Sequence, residues 1–252
     1  MSPAVERVPR VLIVGATSAI AIEVAKAFAA RGARLFLSGR DPAKLSAAAD
    51  DLRVRYAGQV ESAVLDVSDV ARHEDLVDRA LRCWGGLDVV LVAHGVLPDQ
   101  ARCEASVAET LRALEINFSA TAALLTLVAA AFERQRSGCI AVITSVAGDR
   151  GRGSNYVYGA AKGGLHVFLQ GLRNRLHAAG VTVLEIKPGF VDTPMTAHVP
   201  KGGLFASPRR VGRAIHRAIT RRRDVVYVPW FWRPLMLGVR LVPERVFKRL
   251  KL

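Results

Sequence analysis

Val11-Leu12-Ile13-Val14-Gly15-Ala16-Thr17-Ser18-Ala19-Ile20-Ala21 decides the fold. Four aliphatic residues without polar alternation read as a buried strand. A loop of small residues follows, and helical periodicity runs from Ile20 to Arg31. The same alternation continues outward. Val11–Val14, Arg34–Leu37, Val60–Leu65, Leu87–Val92, Cys139–Thr144 and Val181–Ile186 read as strands. Pro42–Tyr56, Val70–Cys83 and Tyr158–Ala179 carry helical patterns between them. Arg31-Gly32 and Gly180 are helix stops placed just before strands. Such alternation predicts an α/β domain: a parallel sheet with helices on both faces.

A length of 252 residues suits one domain with a sizeable core. Hydrophobic residues make up 51% of the chain, too many for disorder. No continuous apolar run reaches the ~20 residues that span a bilayer. Thr121–Phe132 therefore reads as a buried helix, and the N-terminus shows no signal-peptide pattern. Cys83, Cys103 and Cys139 are odd in number and far apart, which predicts reduced thiols in a cytoplasmic protein and no metal site. The six histidines form no cluster, and His94 is expected to pack.

Charge is uneven along the chain. Arg209 to Leu252 holds eleven arginines and two lysines against Asp224 and Glu244, a net +11 of the total +14. The reading divides the domain into residues 1–208, the alternating strand–helix part, and residues 209–252, the last helix and strand with a basic aromatic extension. That asymmetry points to an anionic partner at one end, membrane or nucleic acid, or else to a solvated helix face.

Tyr158 and Lys162 stand four residues apart, about one helical turn, so phenol and ammonium share a face. A neighbouring cation is expected to lower a phenol pKa that is otherwise about 10. A phenol tuned in this way can trade a proton with a carbonyl or alcohol oxygen. Ser145 lies thirteen residues upstream, where the apolar run Ala141-Val142-Ile143-Thr144 ends. It reads as a hydroxyl delivered by a strand end.

This constellation resembles the short-chain dehydrogenase/reductase family over roughly residues 8–206. The resemblance implies a Rossmann-like, doubly wound parallel sheet of about seven strands in the order 3-2-1-4-5-6-7. It implies Tyr158 as general acid/base, Lys162 lowering its pKa and holding the nicotinamide ribose, Ser145 positioning the substrate oxygen, and Asn117 supporting a proton relay. It also implies a dinucleotide held by Gly15, Thr17, Ser18, Ala19 and Ile20, by Asp66 and Val67 at the adenine, by Ala93 and Gly95, and by Pro188, Gly189, Val191 and Thr193 at the carboxamide.

The chain departs from that pattern in places. Of the three loop glycines the family usually carries, only Gly15 remains; Ala19 and Ala21 stand at the other two. If the Ala19 position needs positive φ, its Cβ costs roughly 1 kcal/mol or more. Val92-Ala93-His94-Gly95 replaces the usual Asn-Asn-Ala-Gly. The second strand ends in Gly39-Arg40, with no acidic residue for a ribose 2′-hydroxyl. A guanidinium suits a 2′-phosphate, so NADP(H) is the expected cofactor; the alternative for Arg40 is a surface pair with Asp41.

The block from Ser145 to Lys162, continuing through Pro188-Gly189 to Met195-Thr196-Ala197-His198, is similar to that of decaprenylphosphoryl-2-keto-erythro-pentose reductases. Arg150, Arg152 and Asn155 are its candidate substrate residues. The two arginines either meet a substrate phosphate or are held by Asp149 or solvent. In the tail, Val225-Val226-Tyr227-Val228-Pro229-Trp230-Phe231-Trp232 and the cations through Lys248-Arg249-Leu250-Lys251 suit a peripheral membrane anchor on the inner face of the membrane. A fold-back over the sheet edge and a dimer contact remain open.

The expected protein is an NADPH-dependent ketoreductase acting on a small-molecule or lipid-linked carbonyl, with a homodimer or homotetramer built through Ala113–Phe132 and Gly159–Ala179. Reduction of 3-oxoacyl thioesters, steroids or other carbonyls is the rival chemistry. A membrane- or nucleic-acid-associated NADP(H) sensor is the rival class, with nucleic acid the less expected partner.

Overall fold

The strands lie in one seven-stranded parallel sheet of order β3-β2-β1-β4-β5-β6-β7. They are β1 (Arg10–Val14), β2 (Arg34–Gly39), β3 (Val60–Val64), β4 (Val89–Val92), β5 (Cys139–Ile143), β6 (Thr182–Pro188) and β7 (Val225–Val228). The helices are α1 (Ala19–Ala29), α2 (Pro42–Tyr56), α3 (His73–Trp84), α4 (Gln100–Ala105), α5 (Val107–Leu114), α6 (Ala120–Gln135), α7 (Tyr156–His177), α8 (Pro208–Thr220), α9 (Trp232–Leu241) and α10 (Glu244–Phe247). This computed structural model describes residues 8–56, 58–197 and 199–250. His198 and Lys251, both part of the sequence reading, lie outside the described residues.

Side chains alternate across the strands and so divide the core in two. Val11 and Ile13 of β1 face a cluster completed by α1, α2 and α8, including Val24, Leu45 and Ile215. Leu12 and Val14 face the opposite cluster, completed by α3, α6 and α7, including Leu76, Phe132 and Leu169. Both faces of β1 are dry, which is why its sequence is continuously aliphatic. Gly32 and Gly180 adopt φ of +74° and +70° just before β2 and β6, as the helix-stop reading requires.

Some bounds move. Val70–Cys83 divides into a 3-10 turn, Val70–Arg72, and α3. Thr121–Phe132 is the middle of a helical stretch, Val107–Gln135, which by length and composition alone could cross a membrane. Its Leu124, Leu125, Val128 and Phe132 are instead packed under the sheet. Val225–Val228, read within an interfacial anchor, forms the edge strand β7 in register with Glu185–Pro188.

Candidate active site

All the candidate catalytic side chains gather at the carboxyl ends of β4 and β5. β5 ends at Ile143, and Ser145 caps a 3-10 turn, Val146–Gly148, by accepting from Ala147 N at 3.1 Å. That turn lies directly on α7. A Cβ on Gly148 would come within 2.7 Å of the Lys162 backbone carbon, so only glycine permits the approach. The contact brings the Ser145 hydroxyl into hydrogen bonding with Tyr158. Lys162, one turn along α7, is buried; its Nζ donates to Ile143 O at 3.3 Å and stands 5.7 Å from the Tyr158 ring centre.

Asn117 sits in a π turn, Glu115–Ser119, between α5 and α6. The extra residue in the turn rotates its side chain inward. Nδ2 donates to Ala113 O at 2.9 Å, and Oδ1 accepts from Val96 N at 3.0 Å. Gly95 packs against Asn117 and Lys162 together: a Cβ there would lie 3.0 Å from Oδ1 and 3.4 Å from Nζ.

The electrostatics differ from the sequence expectation. Burial raises the Tyr158 phenol to about 12, opposed in part by the Ser145 hydrogen bond. Burial also brings the Lys162 ammonium down to about 8. Lysine therefore does not hold this phenol below its ordinary value in the protein alone. Nζ is bound to a main-chain oxygen and faces the ring, while burial disfavours the phenolate. His94 is held down at about 3 by burial and then by the Lys162 charge, so it is a neutral imidazole; its Nε2 pairs with Thr121 Oγ1 at 2.9 Å.

The candidate cofactor loop, Gly15 to Ile20, is free of backbone strain. Gly15 has φ +81°, and a Cβ there would lie 2.5 Å from His94 N. Gly15 N and Ala16 N both donate to Ser38 O at 2.9 Å, tying the loop to β2. Ser18 Oγ caps α1 by accepting from Ala21 N at 3.1 Å, so the hydroxyl expected for the cofactor already serves the helix. Ala19 opens α1 in ordinary helical backbone; among described non-glycine residues, positive φ occurs at Arg136 and Arg222. The feared penalty at Ala19 is absent.

Arg40 is exposed and lines a cleft of about 570 Å³ with Asp66, Ser68, Arg112, Glu115 and Ile116. Asp41 is not its partner: it accepts from Lys44 N at 3.0 Å and pairs with Lys44 Nζ at 3.7 Å. Ile20, Val67, Ala93 and Thr193 are half-buried. Beyond β6, Val191 is buried and bridges to Ala206. A Cβ on Gly189 would come within 1.9 Å of Trp232, so the tail lies against this loop.

Arg150 needs a correction. Its guanidinium donates to Val239 O at 2.7 Å, Arg240 O at 3.1 Å and Val242 O at 2.5 Å, at the end of α9. It also pairs with Glu244 at 3.0 Å and covers the Phe247 ring at 3.7 Å. Its Nη1 and Nη2 are engaged by these partners, so Arg150 fastens the C-terminal helices to the Ser145 loop. Asp149 holds neither loop arginine: it bonds Lys187 Nζ at 2.5 Å and Tyr227 Oη at 2.8 Å. Arg152, by contrast, is half-buried and has no ion pair among the described residues. Asn155 keeps a buried Oδ1 without a partner.

Trp232, read as part of a peripheral membrane anchor, is 5% exposed and packs with Met236 and Val146. Phe231 is half-buried, and only Trp230 is open, at 73%. The sequence reading missed Trp232, Lys187 and Gly148 as parts of this wall. The Trp232/Met236 spacing of one helical turn was the available signal.

A glycine-turned phosphate loop and a hydroxyl, phenol and ammonium at the strand ends of a parallel sheet define the class: a Rossmann-type oxidoreductase. The chain belongs to the short chain dehydrogenase family, whose profile matches residues 9–202. It is an oxidoreductase of the kind that acts on CH–OH or C=O groups. It is 38% identical over 240 residues to an uncharacterised oxidoreductase of Mycobacterium tuberculosis (H37Rv), covering 95% of this chain and 96% of that one. An uncharacterised oxidoreductase of Streptomyces coelicolor is 35% identical over 242 residues, at 95% and 94% coverage. Among solved structures, an alcohol dehydrogenase of Thermococcus sibiricus complexed with 5-hydroxy-NADP superposes with a TM-score of 0.76 at 22% identity, covering 86% of this chain and 95% of that one. A short-chain type dehydrogenase/reductase of Mycobacterium ulcerans gives 0.77 at 22% identity, with 87% and 88% coverage.

Proposed function

We propose that the protein is an NADPH-dependent ketoreductase in which Tyr158 gives a proton to the substrate oxygen. The single observation that carries this reading is the contact of Ser145, Tyr158 and Lys162 at the end of β5, with Asn117 behind them. Bound NADPH supplies the hydride. Ser145 holds the carbonyl oxygen beside the phenol, and Lys162 keeps positive charge next to the ring as negative charge develops. Gly15, Asp66, Val67, Gly189, Val191 and Thr193 line the positions for the dinucleotide, and Arg40 is free to meet a 2′-phosphate. The NADP analogue in the Thermococcus sibiricus structure is in keeping with that preference.

The substrate class proposed is a keto sugar carried on a polyprenyl phosphate. Support comes from Arg152 and Asn155, a half-buried cation and an orphaned buried oxygen between Ser145 and Tyr158. A phosphate bound there would relieve the desolvated guanidinium. The tail, residues 209–252, is proposed to rest on an anionic membrane surface, with subunits paired through α6 and α7. NADPH oxidation measured against a polyprenyl-phosphate keto sugar, a 3-oxoacyl thioester and a steroid ketone tests the reading. Turnover preferring the first, and weakened by Arg152→Ala through KM, supports it; preference for either other substrate replaces it.

A further inference from the structure

We propose that the cleft between α8 and β7 is a binding site for the phosphate headgroup of an anionic membrane lipid. Arg209, Arg210, Arg213 and Arg217 line it, above a floor that includes Val226 and Val228, with Trp230 at the wall. The cleft measures about 550 Å³ and has no acidic residue in its lining. Among the described residues none of these four arginines forms an ion pair.

The arrangement follows from how α8 is seated. Val211, Gly212, Ile215 and Ile219 are buried, so the helix turns its arginines outward. Arg210, Arg213 and Arg217 fall at helical spacing and repel one another along one face. An arginine row without carboxylates fits a phosphate, which a guanidinium meets with paired donors.

Trp230 at the cleft, and the exposed apolar residues that follow it in the chain, select the source of that phosphate. Trp230 stands two residues before α9, whose Leu237 and Leu241 are 57% and 73% exposed beside Arg233 and Arg240. A bilayer supplies both an anionic headgroup and an apolar phase; a free phosphate supplies only the first. A second copy of the chain is a poor occupant, because a two-fold contact would set the same arginines against themselves. α9 also presents Trp232 and Met236 to Val146, beside Ser145, so lipid held at Trp230 would lie two residues from the start of the helix that walls the active site. The inference rests on the membrane contact proposed above and is independent of the ketoreductase assignment.

The full chain and the double variant Arg213→Gln/Arg217→Gln are compared by co-sedimentation with phosphatidylglycerol/phosphatidylcholine vesicles and with phosphatidylcholine alone. Trp230→Ser is a second variant, and inorganic phosphate is titrated separately against tryptophan fluorescence. The expected result is salt-sensitive binding to anionic vesicles, weakened roughly tenfold or more by the double variant. Trp230→Ser should also bind less, while thermal unfolding and NADPH oxidation with a soluble ketone stay unchanged. Equal vesicle binding by wild type and the double variant would overturn the proposal. So would saturation of the site by inorganic phosphate alone, or a change of oligomeric state in the variant. Absence of any NADPH turnover alongside the expected vesicle result would sink the ketoreductase reading and leave this site standing.

Discussion

The Nζ of Lys162 donates to the main-chain oxygen of Ile143 at 3.3 Å. That bond ties α7 to the end of β5, two residues before Ser145. The ammonium is therefore fixed by the backbone, facing the Tyr158 ring, and its charge is set by burial more than by the phenol.

A pH profile follows. Lys162 is charged below about 8 and neutral above it, while Tyr158 keeps its proton until about 12. The proposed reduction uses the phenol's proton and the lysine's charge, so kcat/KM should hold below pH 8 and fall above it. Lys162→Arg should keep its charge and remove that limb, at a lower absolute rate. A limb unmoved in the arginine variant would assign it to another group.

Arg40 should set cofactor choice. Asp41 is occupied by Lys44, so Arg40 is free for a 2′-phosphate. Arg40→Asp should weaken NADPH and improve NADH by fluorescence titration, because the carboxylate repels phosphate and accepts from a 2′-hydroxyl. A wild type that prefers NADH contradicts the assignment.

Arg150→Ala should act on stability. It removes three hydrogen bonds to the end of α9 from a side chain 14% exposed. A loss of about 2 kcal/mol is expected, or roughly 4–8 °C in Tm. Proteolysis should then start beyond Trp230. An unchanged Tm with a raised substrate KM would return Arg150 to the substrate site.

Ala19→Gly should leave dinucleotide affinity unchanged or slightly lower. The residue has helical φ, so glycine relieves no strain and adds helix entropy. Clearly tighter NADPH binding would mean that the Cβ obstructs the pyrophosphate.

The sheet was legible because parallel strands buried on both faces are written as unbroken aliphatic runs, as Val11–Val14 shows. The clustering of the candidate residues was legible because Tyr158 and Lys162 are local neighbours and Ser145 follows a strand. A last strand was expected within residues 209–252 from the resemblance, but Val225–Val228 was not singled out as that strand, because four residues in a basic, aromatic tail read equally well as an anchor. Arg150 was misread because its partners lie about ninety residues downstream, and no local pattern records such a contact. The raised Tyr158 pKa was hidden too. Charge proximity is visible in spacing, whereas burial is a property of the packed chain.

The most direct test is NADPH oxidation by Tyr158→Phe beside wild type, with NADPH affinity measured on both proteins. The account predicts a loss of about 10²–10⁴-fold in kcat with cofactor affinity within a few-fold of wild type. A variant that keeps near-normal kcat would contradict Tyr158 as the proton donor and, with it, the central claim.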